Sequence, residues 1–244
     1  MRLKMALATT LAVATAAGAD DIFKGMRGPT NWQADGRVSY AQNEKGATNV
    51  TNTAILKYWD GDGFGKWAFA SVSYRFVAAN NGQANGFGDI TIGAGPRGRI
   101  GNLHQLFYGA LTFPTGDSGF VPALGNGRYD TRLGCFVTYL SPDKSFDIDG
   151  SVEYNITGTN HNDVNVPNEI SAGAVAGIKV TDKIRTAAGI THLARDDASH
   201  TSLRFVGRYT HSSRIHFEAL GDYGASAKNM PKANSLGLIM RYNF

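Results

Sequence analysis

Ser235-Leu236-Gly237-Leu238-Ile239-Met240-Arg241-Tyr242-Asn243-Phe244 ends the sequence, and its spacing decides the fold. Leu236, Leu238, Met240, Tyr242 and Phe244 occupy every second position. Ser235, Gly237, Arg241 and Asn243 sit between them, with Ile239 the one apolar intruder. A β-strand sends alternate side chains to opposite faces, so this ribbon is apolar on one face and mostly polar on the other. An edge strand of a soluble sandwich is the competing reading, but nothing after Phe244 covers the apolar face. In a closed transmembrane barrel, lipid covers it.

The other end agrees. Arg2 and Lys4 form a basic start, Met5 to Ala17 is uncharged and apolar to small, and Ala17-Gly18-Ala19 offers a cleavage site before Asp20-Asp21. This predicts a secretory signal peptide over 1–19. The run is too short and too rich in Ala and Thr for a spanning helix, which needs about 20 apolar residues. Residues 20–30, with Gly28-Pro29, read as a short periplasmic lead-in, and 31–244 as the barrel. Cys135 is the only cysteine, which excludes a disulfide framework and a cysteine metal site. The formal net charge is +4. Arg2 and Lys4 leave with the leader, so the mature chain carries about +2. With no Lys/Arg cluster, no nucleic-acid partner is expected. Mean hydropathy is −0.23, as expected where only alternate residues face lipid.

From Asn31 onward, short alternating segments are broken by Gly, Asn, Asp and Pro. Strands are predicted near 31–42, 49–59, 66–78, 86–98, 103–113, 128–140, 145–158, 168–180, 183–193, 201–210, 214–224 and 234–244. The links after even-numbered strands are short. Those after odd-numbered strands are mostly longer, notably 114–127, 159–167 and 225–233. Such alternation predicts an all-β, closed antiparallel barrel of about twelve strands with both termini periplasmic.

Facing is clear in three segments. Phe146, Ile148, Val152, Tyr154 and Ile156 oppose Asp147, Asp149, Ser151, Glu153 and Asn155. Leu203, Phe205 and Tyr209 oppose Arg204 and Arg208. Ile215, Phe217, Ala219 and Tyr223 oppose His216, Glu218 and Asp222. Lipid penalises charge, so the charged sets belong in the lumen. In 66–78, Trp67 and Phe69 oppose Val72, Tyr74 and Phe76, which implies either a bulge or a partly apolar lumen. Aromatics near strand ends suggest interfacial girdles. Trp59, Trp67, Tyr139, Phe146, Tyr209, Tyr242 and Phe244 fall at the periplasmic rim, and Tyr154 and Tyr223 toward the outer rim.

The final strand resembles those of bacterial outer-membrane barrels, in which the last Phe is read by the barrel-assembly machinery. The resemblance makes Tyr242 and Phe244 an assembly signal. Within the chain, Gly86-Phe87-Gly88-Asp89 opens one strand, and Pro114-Thr115-Gly116-Asp117 closes the strand after it. The pair resembles the outer-membrane transporter family of the meta-pathway of phenol degradation. That likeness implies a barrel passing small hydrophobic or aromatic solutes, with outer-membrane lipid around it and no cofactor. Read physically, Pro114 stops a ladder and Thr115, Gly116 and Asp117 suit a turn. The loop they open, 114–127, carries apolar Phe120, Val121 and Leu124, and is expected to fold inward over the mouth as a gate.

The charged lumen set is the functional candidate. Parity puts Arg208 near Glu218 or His216 and Arg204 near Asp222, with Arg241, Asp35 and Arg37 continuing the wall. Asp147, Asp149 and Glu153 form an acidic stripe across the barrel. This arrangement is either an eyelet that orients solutes or an ion-pair network that fills the lumen. Catalysis is not expected. A barrel lipase needs a Ser–His pair on the outer wall, and His192 and His211 lack a clear outward serine. His161, Asp163, Asp196, Asp197 and His200 read as solvated loop residues, and Asp60-Gly61-Asp62-Gly63 as a turn without a calcium loop's glutamate. Two functional classes stand: a solute channel, and a structural or surface-interaction barrel without conductance.

Overall fold

A computed structural model of the chain describes residues 32–60, 64–80, 82–119, 122–159 and 166–244. The expected leader and lead-in lie outside these, as do Phe120, Val121, His161, Asp163 and Gly61 to Gly63. The described residues form β1 (Trp32–Asn43), β2 (Thr48–Trp59), β3 (Gly65–Ala79), β4 (Gly82–Phe87), β5 (Ile90–Ile100), β6 (Leu103–Phe113), β7 (Asp130–Leu140), β8 (Phe146–Thr157), β9 (Glu169–Lys179), β10 (Ile184–Arg195), β11 (Ala198–Thr210), β12 (Ile215–Lys228) and β13 (Ala233–Asn243).

Strands that follow one another pair antiparallel, and β13 returns to β1 from Gln33↔Asn243 to Asn43↔Ala233. β4 and β5 share one position. β3 pairs with β5 from Gly65↔Arg97 to Ser71↔Thr91, and with β4 from Tyr74↔Phe87 to Ala79↔Gly82. Thirteen segments less this one duplication give a closed ring of twelve positions. Closure removes the edges of the full-length strands, as a wall surrounded by hydrocarbon requires, and among the described residues the short β4 pairs on one side only.

The strand expected over 86–98 is corrected in two ways. It starts earlier, at Gly82, and it is interrupted at Gly88-Asp89. Gly88 still donates its N–H to the Ser73 carbonyl (2.9 Å) across the break, so the wall remains continuous while Asp89 is released for other partners. A second irregularity lies between β5 and β6, where pairing passes from Ala94↔Gly109 to Arg97↔Leu106. Pro96 has no N–H to give. The Trp67 indole donates instead to the Phe107 carbonyl, at 3.0 Å.

The link pattern is also corrected. One end of the barrel, called here the turn end, carries both β1's start and β13's finish together with the turns at 60–64, 101–102, 141–145, 180–183 and 211–214. The opposite, loop end carries 114–129 and 158–168, but its other links, 44–47, 80–81, 196–197 and 229–232, are as tight as turns. Strands at this end run further than their hydrophobic pattern. β12 continues through Ser226 to Lys228 and absorbs the first four residues of the expected loop 225–233, because polar residues pair as well as apolar ones once the neighbouring strand supplies a ladder. In the turn 141–145, hydrogen bonds from Ser141 and Ser145 hold the Asp143 carboxyl well below the usual carboxylate range, at about 2, so it is charged at neutral pH.

Facing follows the alternation. On β13, Leu236, Leu238 and Met240 are exposed on the outside, while Ile239 and Arg241 are buried within. On β8, Ile148 and Val152 are outside and Asp147, Asp149 and Glu153 inside. β3 keeps unbroken register with β2 from Thr48↔Ala78 to Trp59↔Trp67. Its mixed pattern therefore reflects a partly apolar lumen and not a bulge. Two girdle residues are corrected in consequence: Trp59 and Trp67 are buried, 1% and 2% exposed, and face inward. Tyr139, Phe146, Tyr154, Tyr209, Tyr223 and Phe244 are exposed on the outer wall.

Candidate functional site

The lumen has two chemically different arcs. The first runs over β11, β12, β13, β1 and β2. Register sets Arg204 opposite Asp222 and Arg208 opposite Glu218. Arg204 Nε donates to Asp222 Oδ1 at 2.7 Å, and Arg208 Nη2 to Glu218 Oε2 at 2.6 Å. Sequence parity left Arg208 two partners, and strand register selects Glu218. Arg241 extends the network, donating from Nη1 to Glu218 (3.2 Å) and from Nε to Asp35 Oδ2 (3.4 Å). Lys57 pairs with the same Asp35 oxygen and donates to Gln33 Oε1 at 3.0 Å. A continuous chain of charge thus crosses five strands: Lys57, Asp35, Arg241, Glu218, Arg208. Ser235 Oγ adds a hydrogen bond to Asp222 at 3.1 Å. Such charge-assisted bonds are the strong ones, and burial makes each partner depend on the other.

Opposite, on β8, each member of the acidic stripe has a partner, Thr138 on the adjacent β7 and Arg185 and Tyr108 one strand further away on β10 and β6. Asp147 meets Arg185 at 3.0 Å, Asp149 accepts from Thr138, and Glu153 accepts from Tyr108. Among the residues named, the first arc holds Arg37, Lys57, Arg204, Arg208 and Arg241 against Asp35, Glu218 and Asp222, or 5 − 3 = +2. The β8 side holds three carboxylates against Arg185, or −2. The two sides face each other across the ring, so these named groups set a positive wall against a negative one.

The second arc, over β2, β3, β6 and β7, is apolar. Ile55, Trp59, Trp67, Phe69, Leu106, Tyr108, Ala110 and Phe136 form one buried cluster. Trp67 stacks on Phe69 with ring centroids 5.3 Å apart, and Tyr108 stacks on Phe136 at 5.7 Å. β5 makes room for it: a Cβ on Gly93 would lie 2.3 Å from the Phe69 ring. Sequence reasoning offered a partly apolar lumen at 66–78 as one of two readings, but by placing Trp59 and Trp67 in the girdle it did not assemble the arc.

The two motif pieces, far apart in sequence, dock into one knot. Asp89, freed by the strand break, accepts from the backbone N–H of Gly116 (3.0 Å) and of Asn126 (2.7 Å). Thr115 Oγ1 donates to the Gly88 carbonyl (3.3 Å) and accepts from the Ile90 N–H (2.9 Å). Gly116 and Gly125 pack backbone to backbone, since a Cβ on Gly116 would lie 2.9 Å from the Gly125 Cα. Asp117 contributes its carbonyl to the Leu124 N–H at 2.9 Å. Arg75 Nη1 then donates to the Leu124 carbonyl (2.9 Å), and the Leu124 side chain is buried against Val77 and Ala84. Over its described residues, 114–119 and 122–129, the loop is therefore folded inward and held by its stems. Of the motif residues, Gly86 lies inside β4 and Pro114 follows the end of β6.

At the chain end, the Tyr242 and Phe244 rings pack edge to face at 5.1 Å, and Phe244 donates its N–H to the Trp32 carbonyl at 3.1 Å. His211 sits in a turn where Ser212 Oγ accepts from the Arg214 and Ile215 N–H groups. His192 lies on the outer wall with Thr201 Oγ1 at 2.9 Å. Neither forms the Ser–His pair that a barrel lipase needs.

Similar architecture occurs in solved structures. The COG4313 outer membrane channel from Pseudomonas putida F1 is 16% identical, with a TM-score of 0.74 over 89% of this chain and 96% of that one. The translocator domain of the autotransporter NalP from Neisseria meningitidis is 14% identical, with a TM-score of 0.60 over 97% and 99%. The CymD monoaromatic hydrocarbon channel is 8% identical, with a TM-score of 0.54 over 94% and 92%. At these identities the likeness is one of fold. No curated protein matches the chain. The family described as "Putative MetA-pathway of phenol degradation" matches residues 19–238, nearly the whole sequence and both pieces of the Asp89 knot, and the chain belongs to that family.

Proposed function

We propose that this barrel carries small solutes across the bacterial outer membrane, and that they include hydrophobic and aromatic compounds. The observation that carries the reading is the divided lumen, with an aromatic arc beside a charged one. A solute with a flat apolar body and a polar end finds a surface for each part on one path. The family description and the monoaromatic hydrocarbon channel of similar fold support the same class. On this reading the turn end faces the periplasm, lipid surrounds the exposed belt, and Tyr242 and Phe244 are the signal met by the barrel-assembly machinery. The charged set on β8 and β11–β13 orients the polar end of the solute.

Liposome swelling with graded sugars and monocyclic aromatics tests this. Aromatics are expected to enter faster than sugars of equal size, and Trp67→Ala should reduce that preference several-fold. Equal rates for both solute series would remove the aromatic part of the proposal. Planar-bilayer recording separates a conducting barrel from a purely structural one, since the latter is silent.

The loop 114–129 acts as the gate. Deleting 118–126 should raise single-channel conductance, and Asp89→Ala, which frees the stems without shortening the loop, should give a noisier and partial rise. Unchanged conductance in the deletion counts against a gate.

A further inference from the structure

We infer that the outer wall over β7 to β11 binds one acyl chain of a phosphorylated outer-leaflet glycolipid. This rests on the outer-membrane orientation proposed above. A groove of about 630 Å³ opens on the outer wall. Its floor is made of residues with almost no side chain, Gly150, Ala172 and Ala174, and Val152 and Ile190 rise beside it. Register explains the trough. Gly150 pairs with Ala174 and Ala174 with Ile190, while Val152 pairs with Ala172 and Ala172 with His192. Ala172 therefore lies between the larger Val152 and His192, while at Ala174 the floor continues onto Gly150 and is walled by Ile190 on the β10 side alone.

The groove is chemically polarised. Toward the loop end it reaches the hydrogen-bonded pair of His192 and Thr201. Thr201 pairs with Ser226, and in the next row Ser199 pairs with Lys228, which is exposed. Polar groups on a wall facing hydrocarbon are costly unless something polar meets them. Hydrocarbon below and, above it, hydroxyls with Lys228 beside the Asp197 carboxylate that Asn229 holds at 2.8 Å match an amphiphile whose head carries both anionic and hydroxyl groups. A second copy of this barrel fits less well, because the apolar belt it would offer carries no negative charge for Lys228. The loop end faces outward on the reading above, so the lipid comes from the outer leaflet, where phosphorylated glycolipid supplies both features.

The test uses the full-length barrel in phosphatidylcholine nanodiscs containing equal amounts of lipid A and phosphatidylglycerol, with retained lipid counted by native mass spectrometry. The wild type should keep one lipid A, and Ala172→Leu, which fills the floor, should lower its occupancy about tenfold. His192→Ala with Lys228→Ala should abolish the preference for lipid A over its dephosphorylated form. Heat-modifiable gel migration verifies that each variant is folded, and Ala174→Leu replaces Ala172→Leu if that one is not. Equal retention by wild type and the filled variant overturns the inference, as does equal retention of phosphatidylglycerol or a dimer mass in place of a lipid adduct. Ala172→Leu should leave conductance unchanged, so a silent barrel that still retains lipid A refutes the channel reading and not this one.

Discussion

An Arg241→Ala barrel is expected to lose about 3–5 kcal/mol of unfolding free energy, the usual cost of removing one partner from a buried ion pair. Arg241 is the middle link of the chain from Lys57 to Arg208, and it holds Glu218 and Asp35 on either side of β13. Its removal leaves two buried carboxylates with one cation fewer between them, at the strand that closes the ring. Urea unfolding from lipid vesicles, followed by tryptophan fluorescence, measures the loss. Leu238→Ala is the comparison: it removes apolar surface from the same strand on its lipid-facing side and should cost about 1–2 kcal/mol. If the two variants unfold at the same urea concentration, the network contributes no more than a surface contact.

The second large effect is on ion selectivity. In Arg204→Ala with Arg208→Ala, the first arc loses two positive charges, taking the named set from +2 to 0, while Asp222 and the shared Glu218 lose the guanidinium groups they face. The β8 side stays at −2. Fixed charge lining a pore selects the counter-ion, so the permeability ratio of potassium to chloride should rise, by about fivefold or more. Reversal potentials under a salt gradient report it. No change in the ratio would mean that these arginines are sealed structural groups that permeating ions never approach.

The alternation of β13, β8, β11 and β12 was plain in the sequence because apolar residues recur at every second position and every charge falls in the opposite set, and a charge admits only one face in lipid. That same rule would have corrected the tryptophans. Lys57 precedes Trp59 by two residues and Arg75 shares parity with Trp67, so both indoles had to point into the lumen. Aromatic type alone names no face. The Asp89 knot was beyond reach for a different reason. Its partners at Gly116 and Asn126 are brought near only after β5 and β6 pair, and nothing local in Gly86-Phe87-Gly88-Asp89 marks a broken strand. The reach of β12 past Tyr223 was hidden too, since Ala225, Ser226 and Ala227 resemble loop residues until a ladder takes them. The aromatic arc depends on four strands meeting, and no single stretch carries it.

The pairing of β13 with β1 has a consequence for the timing of biogenesis. The first strand finds one of its two neighbours only when the last residues of the polypeptide have been synthesised and exported. Joining ends this distant in sequence is slow and entropically costly. Until then the chain must travel unclosed through an aqueous compartment with alternate apolar side chains uncovered. The topology therefore predicts that truncating even the final strand turns an export-competent polypeptide into a substrate for proteolysis, which pulse-chase labelling of the truncated chain measures.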